Sequence, residues 1–276
     1  MSTTGTCSAE AVATVQYWND RWITGQTGWH RLEPKSHFLD VIAKAEENTK
    51  TPGGGLRVLL PLCGASPDIV WFAKQPWVTQ VVGIEFAPDA IPIFVEQNKG
   101  IVATQTKVKF TKKDVDDKKN DVETSNEVVK YNFNKAESKD EDPFHKISIY
   151  IADALDAPYY LTPATTPFDL VFDNAALVAI PVNLRVPYIG AMKKCLKPDA
   201  RYYLSTITYP PGSKQPPPHS IDGAGEGELE KLFFSEQQRN KVEQDEGQKM
   251  NGGGGADGKM IECLIPKMPV PKFGPD

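Results

Sequence analysis

The chain has 276 residues, with 31 Lys and Arg against 36 Asp and Glu, a net charge of −5 at pH 7, 24% charged residues and 40% hydrophobic ones. This is ordinary globular usage with apolar side chains enough for a core, so a wholly disordered, collagen-like or coiled-coil chain is excluded. An acidic balance without a basic stripe argues against nucleic acid, and no run approaches the roughly 20 apolar residues of a membrane helix.

The first sixty residues read as two helices, the second opening at Ser36 with Phe38, Leu39, Ile42 and Ala45 at helical spacing. Thr51-Pro-Gly-Gly-Gly55 stops it, and Leu56-Arg-Val-Leu-Leu-Pro61 follows, an apolar run typical of a strand buried on both faces. Ser66-Pro67 is a helix start: serine accepts an orphan amide hydrogen bond, and proline suits the first helical position, where its missing donor is not needed. The helix should cover Asp68 to Gln75. Gln80 to Glu85 repeats the strand signal, and a helix from near Pro88 to about Asn98 repeats the helix. Alternating strands and helices predict parallel pairing.

From about Ala103 to Lys146 the rhythm breaks, with charge and no evident apolar period, so this span reads as a charged, flexible insertion. Strand signals resume at Ile147 to Ile151, Phe168 to Phe172 and Arg201 to Ile207, with a helix from about Leu184 to Leu196 ended by Lys197-Pro198-Asp199. Glu226 to Phe234 looks helical, Asn251 to Gly255 is a connection, and Met260 to Leu264 is a final strand. One α/β domain over residues 1–265 results, with a loose Pro-rich tail at 266–276.

In an open parallel sheet a ligand lies beyond the carboxyl ends of the strands. Leu62-Cys63-Gly64-Ala65-Ser66-Pro67 follows the first strand; Glu85 ends the second, 85 − 64 = 21 residues after Gly64. An acid about 20 residues beyond a glycine turn is placed to accept hydrogen bonds from ribose hydroxyls. The dinucleotide fingerprint wants further glycines that let backbone approach a pyrophosphate, and here only one stands. A phosphate-free nucleoside such as S-adenosylmethionine needs the turn and the acid alone.

Leu62-Cys-Gly-Ala-Ser-Pro-Asp-Ile-Val-Trp-Phe-Ala73, Val82-Gly-Ile-Glu85, Phe94-Val-Glu-Gln-Asn98 and Asp173-Asn-Ala-Ala-Leu-Val-Ala-Ile-Pro181 together resemble the thiopurine S-methyltransferase family. Trp18-Asn-Asp-Arg-Trp22, Thr27-Gly-Trp-His30, Tyr188, Tyr209 and Pro216-Pro-Pro218 extend the likeness over roughly Val15 to Leu264, the charged insertion apart. The resemblance implies a Rossmann-like class I methyltransferase: a mostly parallel central sheet, helices on both faces and an N-terminal helical lid. It implies S-adenosylmethionine as cofactor, with Trp18, Trp22 and Trp29 in the lid and Trp29 also touching substrate, Leu62 at the methionine side, Gly64 at the cofactor-binding turn, Glu85 on the ribose, and Asp153 and Ala154 beside the adenine. Trp71 and Trp77 read as core.

The family carries arginine where Asn174 follows Asp173 here, so a thiopurine acceptor is in doubt, while thiols, thiocyanate, hydrogen sulfide and halide remain open. Asn174 can donate a hydrogen bond to acceptor or cofactor. Asn174, Asp173 at the pocket end of its strand, and His219 as a proton acceptor are the candidate catalytic residues. Arg185 is either a replacement cation near the pocket or a solvent-facing helical arginine. Cys63 reads as structural. Cys7, Cys63, Cys195 and Cys263 contain no CxxC pair, so neither a disulfide framework nor a metal site is expected. Met1 to Ala11 lacks a basic flank followed by an apolar stretch, which predicts a cytosolic protein, expected to be a monomer acting on a small molecule without membrane or nucleic acid. The rival readings are an inert protein that kept the cofactor pocket, and a nicotinamide-dependent oxidoreductase.

Overall fold

The computed structural model describes residues 15–47, 55–113, 123–136, 142–161, 167–208, 217–221, 228–233, 254–255 and 258–265. Tyr209, Pro216, Cys7 and the tail at 266–276 lie outside them. Helices α1 (Val15–Ile23) and α2 (Ser36–Glu47) precede β1 (Leu56–Leu60), α3 (Pro67–Ala73), β2 (Val78–Glu85) and α4 (Ala90–Gln97). Strands β3 (Ile101–Lys113) and β4 (Glu123–Lys135) come next, then β5 (Ile147–Ile151), α5 (Ala157–Tyr160), β6 (Phe168–Asn174) and α6 (Ala176–Ala179). The chain continues through α7 (Arg185–Lys194), β7 (Leu196–Thr208), α8 (Glu228–Phe233), β8 (Gly254–Gly255) and β9 (Gly258–Ile265).

The strands form one sheet in the order β3-β4-β5-β2-β1-β6-β7-β9-β8. The middle five, β5-β2-β1-β6-β7, pair in parallel throughout, and both flanks are antiparallel. Successive side chains on a strand face opposite ways, which divides the core. Val58, Leu60, Val78 and Val81 join α2, α3 and α4 on one face, while Leu59, Val82 and Ile84 join α5, α7 and α8 on the other. Burying each such side chain is worth about 1.5–3 kcal/mol, so the parallel centre is clamped from both sides. Ser66 caps α3 as its sequence predicts: its hydroxyl oxygen accepts from the Asp68 amide at 3.2 Å, with Pro67 at the first helical position.

Two spans depart from the sequence reading. The one read as a charged, flexible insertion contains β3 and β4, which pair over thirteen residues each, from Ile101↔Lys135 to Lys113↔Glu123, and dock on β5. A sheet with one wet face needs apolar residues only at alternate positions, and Val108 and Phe110 between Lys107, Lys109 and Thr111 supply them. Lys197-Pro198-Asp199 does follow the end of a helix, α7 stopping at Lys194, but it lies within β7, where an irregularity between Phe168↔Leu196 and Leu170↔Arg201 absorbs the proline.

Candidate active site

A cleft of about 360 Å³ opens at the carboxyl ends of the central strands, within the range of small-molecule sites. Its wall includes Leu62 and Gly64 after β1, Glu85 at the end of β2, Asp153 and Ala154 after β5, and Asn174 at the end of β6. Trp18 and Trp22 of α1 and Trp29 of the following loop reach the same cleft. The indoles meet edge to face, with ring centroids 5.4 Å apart for Trp18–Trp29 and 6.1 Å for Trp22–Trp29. Trp71 and Trp77 instead pack together at 6.2 Å within the core, as expected of them.

The turn after β1 is built around Glu85. Its carboxylate accepts from the Gly64 amide at 2.7 Å, the Phe86 amide at 2.9 Å and the Ala87 amide at 2.7 Å. Burial leaves the carboxyl pKa raised above the ordinary carboxylate value, with these three amides opposing the rise. Gly64 has φ +52°, and a Cβ there would stand 2.8 Å from the Trp22 indole, so neither backbone nor neighbour leaves room for a side chain. Leu62 and Ala175 also hold positive φ, at 47° and 65°, and both line the cleft. Strained backbone of this kind gathers at ligand sites. The acid has a further consequence: the amide that a dinucleotide fold aims at a pyrophosphate is occupied here by a carboxylate. Neutral sugar hydroxyls suit this turn, and a phosphate does not.

Across the sheet, Asp153 caps the next turn, accepting from the Leu155 amide at 2.9 Å. Its carboxyl pKa is raised, first by desolvation and also by Asp156, with the Leu155 amide and Lys112 opposing. Asn174 donates from Nδ2 to Asp68 Oδ2 at 3.0 Å. Sequence reasoning missed Lys35, Asp68 and Ser205, all on the cleft wall. Asp68 was foreshadowed as the first acidic residue after a capped helix start.

Three expectations need correcting. Asp173 does not face the cleft: strand alternation sends Phe172 and Asn174 there, while Asp173 is fully buried behind them. It accepts from the Leu177 amide at 3.0 Å and from the Tyr188 and Tyr202 hydroxyls at 2.8 Å each, a structural tie between β6, β7 and α7. Arg185 is neither exposed nor in the cleft. It is 1% exposed, pairs with Glu228 at 2.5 Å, and donates to the His219 and Ser220 carbonyls at 3.1 and 3.4 Å. His219 is not on the cleft wall, although Pro217 and Pro218 beside it are. Its amide donates to the Val178 carbonyl at 2.6 Å, and its Nε2 is buried with no hydrogen-bond partner among the described residues. Cys63 has its thiol pKa pushed well up by burial and by Glu85, the opposite of an activated nucleophile. Among the described residues no cluster of His, Cys, Asp or Glu could hold a metal ion, and no helix is long and apolar enough to cross a membrane.

The profile of the thiopurine S-methyltransferase family matches residues 13–121 and 122–258. The chain belongs to that family. Membership makes it a methyltransferase with S-adenosylmethionine as cofactor. Among relatives, the thiopurine S-methyltransferase of Legionella pneumophila (strain Corby) is 29% identical over 228 residues, covering 82% of this chain and 82% of that protein. The Bos taurus thiopurine S-methyltransferase is 27% identical over 230 residues, covering 82% of this chain and 78% of its own. In fold, the chain is similar to the crystal structure of a SAM-dependent methyltransferase from Anabaena variabilis ATCC 29413. That match has a TM-score of 0.50 and 11% identity, covering 92% of this chain and 94% of the other.

Proposed function

We propose that this protein moves the methyl group of S-adenosylmethionine to the sulfur, or a similarly soft atom, of a small acceptor such as a thiol, a thiopurine-like compound, thiocyanate or halide. The carrying observation is the cleft itself, in which one buried acid organises the turn after β1 and three indoles that meet one another line the same wall, Trp22 against that turn. In this reading Glu85 takes the sugar hydroxyls on the carboxylate lone pairs its three amides leave over. Asp153 and Ala154 flank the base, Leu62 the amino-acid end, and Trp18, Trp22 and Trp29 the charged sulfur, with Gly64 giving the cofactor a turn free of side chain. When bound, the cofactor supplies a methyl group on a positively charged sulfonium.

The residues of the chain need to contribute little covalent chemistry. A thiolate is already nucleophilic, so alignment and exclusion of water carry the rate, and well-oriented reactions gain roughly 7–11 kcal/mol in this way. Indole faces attract a desolvated cation by about 1–2 kcal/mol, which favours the charged cofactor over its neutral product and so helps exchange one for the other. Asn174, held by Asp68, presents its amide at the acceptor side. With Asp173 behind the strand and His219 off the cleft wall, Asn174 is the one of the three candidate catalytic residues that reaches the cleft.

Incubation with methyl-labelled cofactor and a panel of thiols, a thiopurine, thiocyanate and iodide, followed by mass spectrometry, tests the reading. At least one S-methylated or halomethane product is expected. Cofactor binding with no product across the panel points to the inert protein instead. In calorimetry, Glu85→Ala should weaken cofactor binding by roughly 10- to 100-fold, the worth of charge-assisted hydrogen bonds. Unchanged affinity would remove the sugar contact.

A further inference from the structure

One part of the cleft wall on the β6–β7 side is not a strand end. Pro217 and Pro218 belong to residues 217–221, which form neither helix nor strand, and they share that wall with Val178 of α6 and Ile207 of β7. Hydrogen bonds lace this stretch to the same two neighbours: the His219 amide donates to the Val178 carbonyl at 2.6 Å, and the Ile221 amide to the Ile207 carbonyl at 3.0 Å. Between those amides, the His219 and Ser220 carbonyls accept from one group, Nη2 of Arg185, at 3.1 and 3.4 Å. Nη1 of the same guanidinium pairs with Glu228 of α8 at 2.5 Å. Arg185 is buried at the start of α7, and a buried ion pair adds little net stability, because desolvating two charges offsets their attraction. What the planar fork adds is geometry: it meets a carboxylate and two successive carbonyls in one fixed arrangement, which the point charge of a lysine does not. Consecutive prolines have a fixed φ, so a shift at the His219 carbonyl is passed on to the wall rather than absorbed.

We infer that Arg185, though it lies off the cleft wall, is a positioning residue for methyl transfer: through the His219 and Ser220 carbonyls it sets Pro217 and Pro218 as the surface against which the acceptor lies. The inference rests on the S-methyl-transfer reading. In that reading Glu85 and Asp153, on the β2 and β5 side, belong to the sugar and the base, and the side bounded by Asn174, Val178, Ile207 and the two prolines is left to the acceptor. Prolines bring no amide donor, so this wall acts by shape. Its effect on rate comes from where it holds the nucleophile, and a misplacement of about 1 Å is enough to slow an aligned displacement severely. Arg185 exchanges no proton and contacts no reacting atom. It keeps the wall in register with the strand ends on which the cofactor sits.

The test compares wild type with Arg185→Lys, which keeps a cation beside Glu228 but not the fork, and with Arg185→Met, which removes both. On whichever acceptor of the panel above wild type turns over, each variant should lower kcat/KM for the acceptor by about tenfold or more, while cofactor affinity in calorimetry stays within about threefold. Amide hydrogen exchange followed by NMR should quicken at His219 and Ile221 in both variants, and stay slow at Gly64, Phe86 and Ala87, whose amides Glu85 holds. Where Arg185→Met does not fold, Arg185→Lys decides. Equal losses of cofactor affinity and acceptor turnover, unchanged exchange at His219 and Ile221, or failure of both variants to fold would assign Arg185 to general stability and overturn the inference. If wild type methylates nothing in the panel, it is the S-methyl-transfer reading that fails, and the exchange comparison still decides whether the guanidinium holds the proline wall.

Discussion

At single residues, the cleft is held together by groups whose partners are already inside the protein. Glu85 closes the turn after β1, Asp68 ties α3 to Asn174, and Asp173 pins two tyrosines behind the sheet. Gly64→Ala tests the first of these. With φ +52° and the Trp22 indole 2.8 Å from the new Cβ, it should cost about 1–3 kcal/mol in denaturant unfolding and weaken cofactor binding, because either the turn or the indole must move. His219 gives a pH signature. Burial, and then the Arg185 charge, lower its pKa from the ordinary 6.5, so the fold prefers the neutral ring. Its contribution is therefore intact above pH 6.5 and is lost as pH falls through the lowered value, where the unfolded chain takes up a proton that the folded one resists. Tm should fall between pH 7 and about 5.5 more steeply in wild type than in His219→Phe, and parallel curves would remove this account.

At the scale of elements, the β3–β4 hairpin reaches the wall of the cleft. Phe110 meets Tyr160 with ring centroids 5.7 Å apart, the Tyr160 hydroxyl donates to the Asp153 carbonyl at 3.0 Å, and Lys112 pairs with Asp156 at 2.7 Å. Removing the Phe110 ring should cost about 1–3 kcal/mol for a half-buried aromatic and should weaken cofactor binding by a few fold without touching the cleft directly. Unfolding and calorimetry on Phe110→Ala read both effects, and a change in stability alone would disconnect the hairpin from the site. This element was the least legible in the sequence. Its inward Val108 and Phe110 are outnumbered by lysines and threonines that face water, and a window that looks for apolar runs passes over such a strand. The central strands, buried on both faces, announced themselves as Val- and Leu-rich runs, and Ser66-Pro67 marked the start of α3 because capping is a local interaction.

For the whole molecule, the strand ends could be read from sequence because the parallel topology fixes where they lie, and Glu85 follows from its spacing after Gly64. Lys35, Ser205 and Arg185 could not. Lys35 and Ser205 are 170 positions apart in the chain and are joined only by folding, and the burial of Arg185 depends on Glu228 and on the carbonyls of a distant segment. Asp173 shows the converse: its place beside a motif suggested chemistry, and one step of strand alternation turned it into the core.

The order of the strands leaves β3 as the outermost on its side, thirteen residues long, with Lys107 and Lys109 exposed along it. An end strand of that length is a template for another copy to add to, and ammonium groups spaced along it make such stacking costly. Replacing Lys107 and Lys109 together by valine should leave circular dichroism of the dilute protein unchanged while sedimentation reveals growing self-association. A monodisperse double variant would show that something other than these charges keeps neighbouring molecules from zipping together.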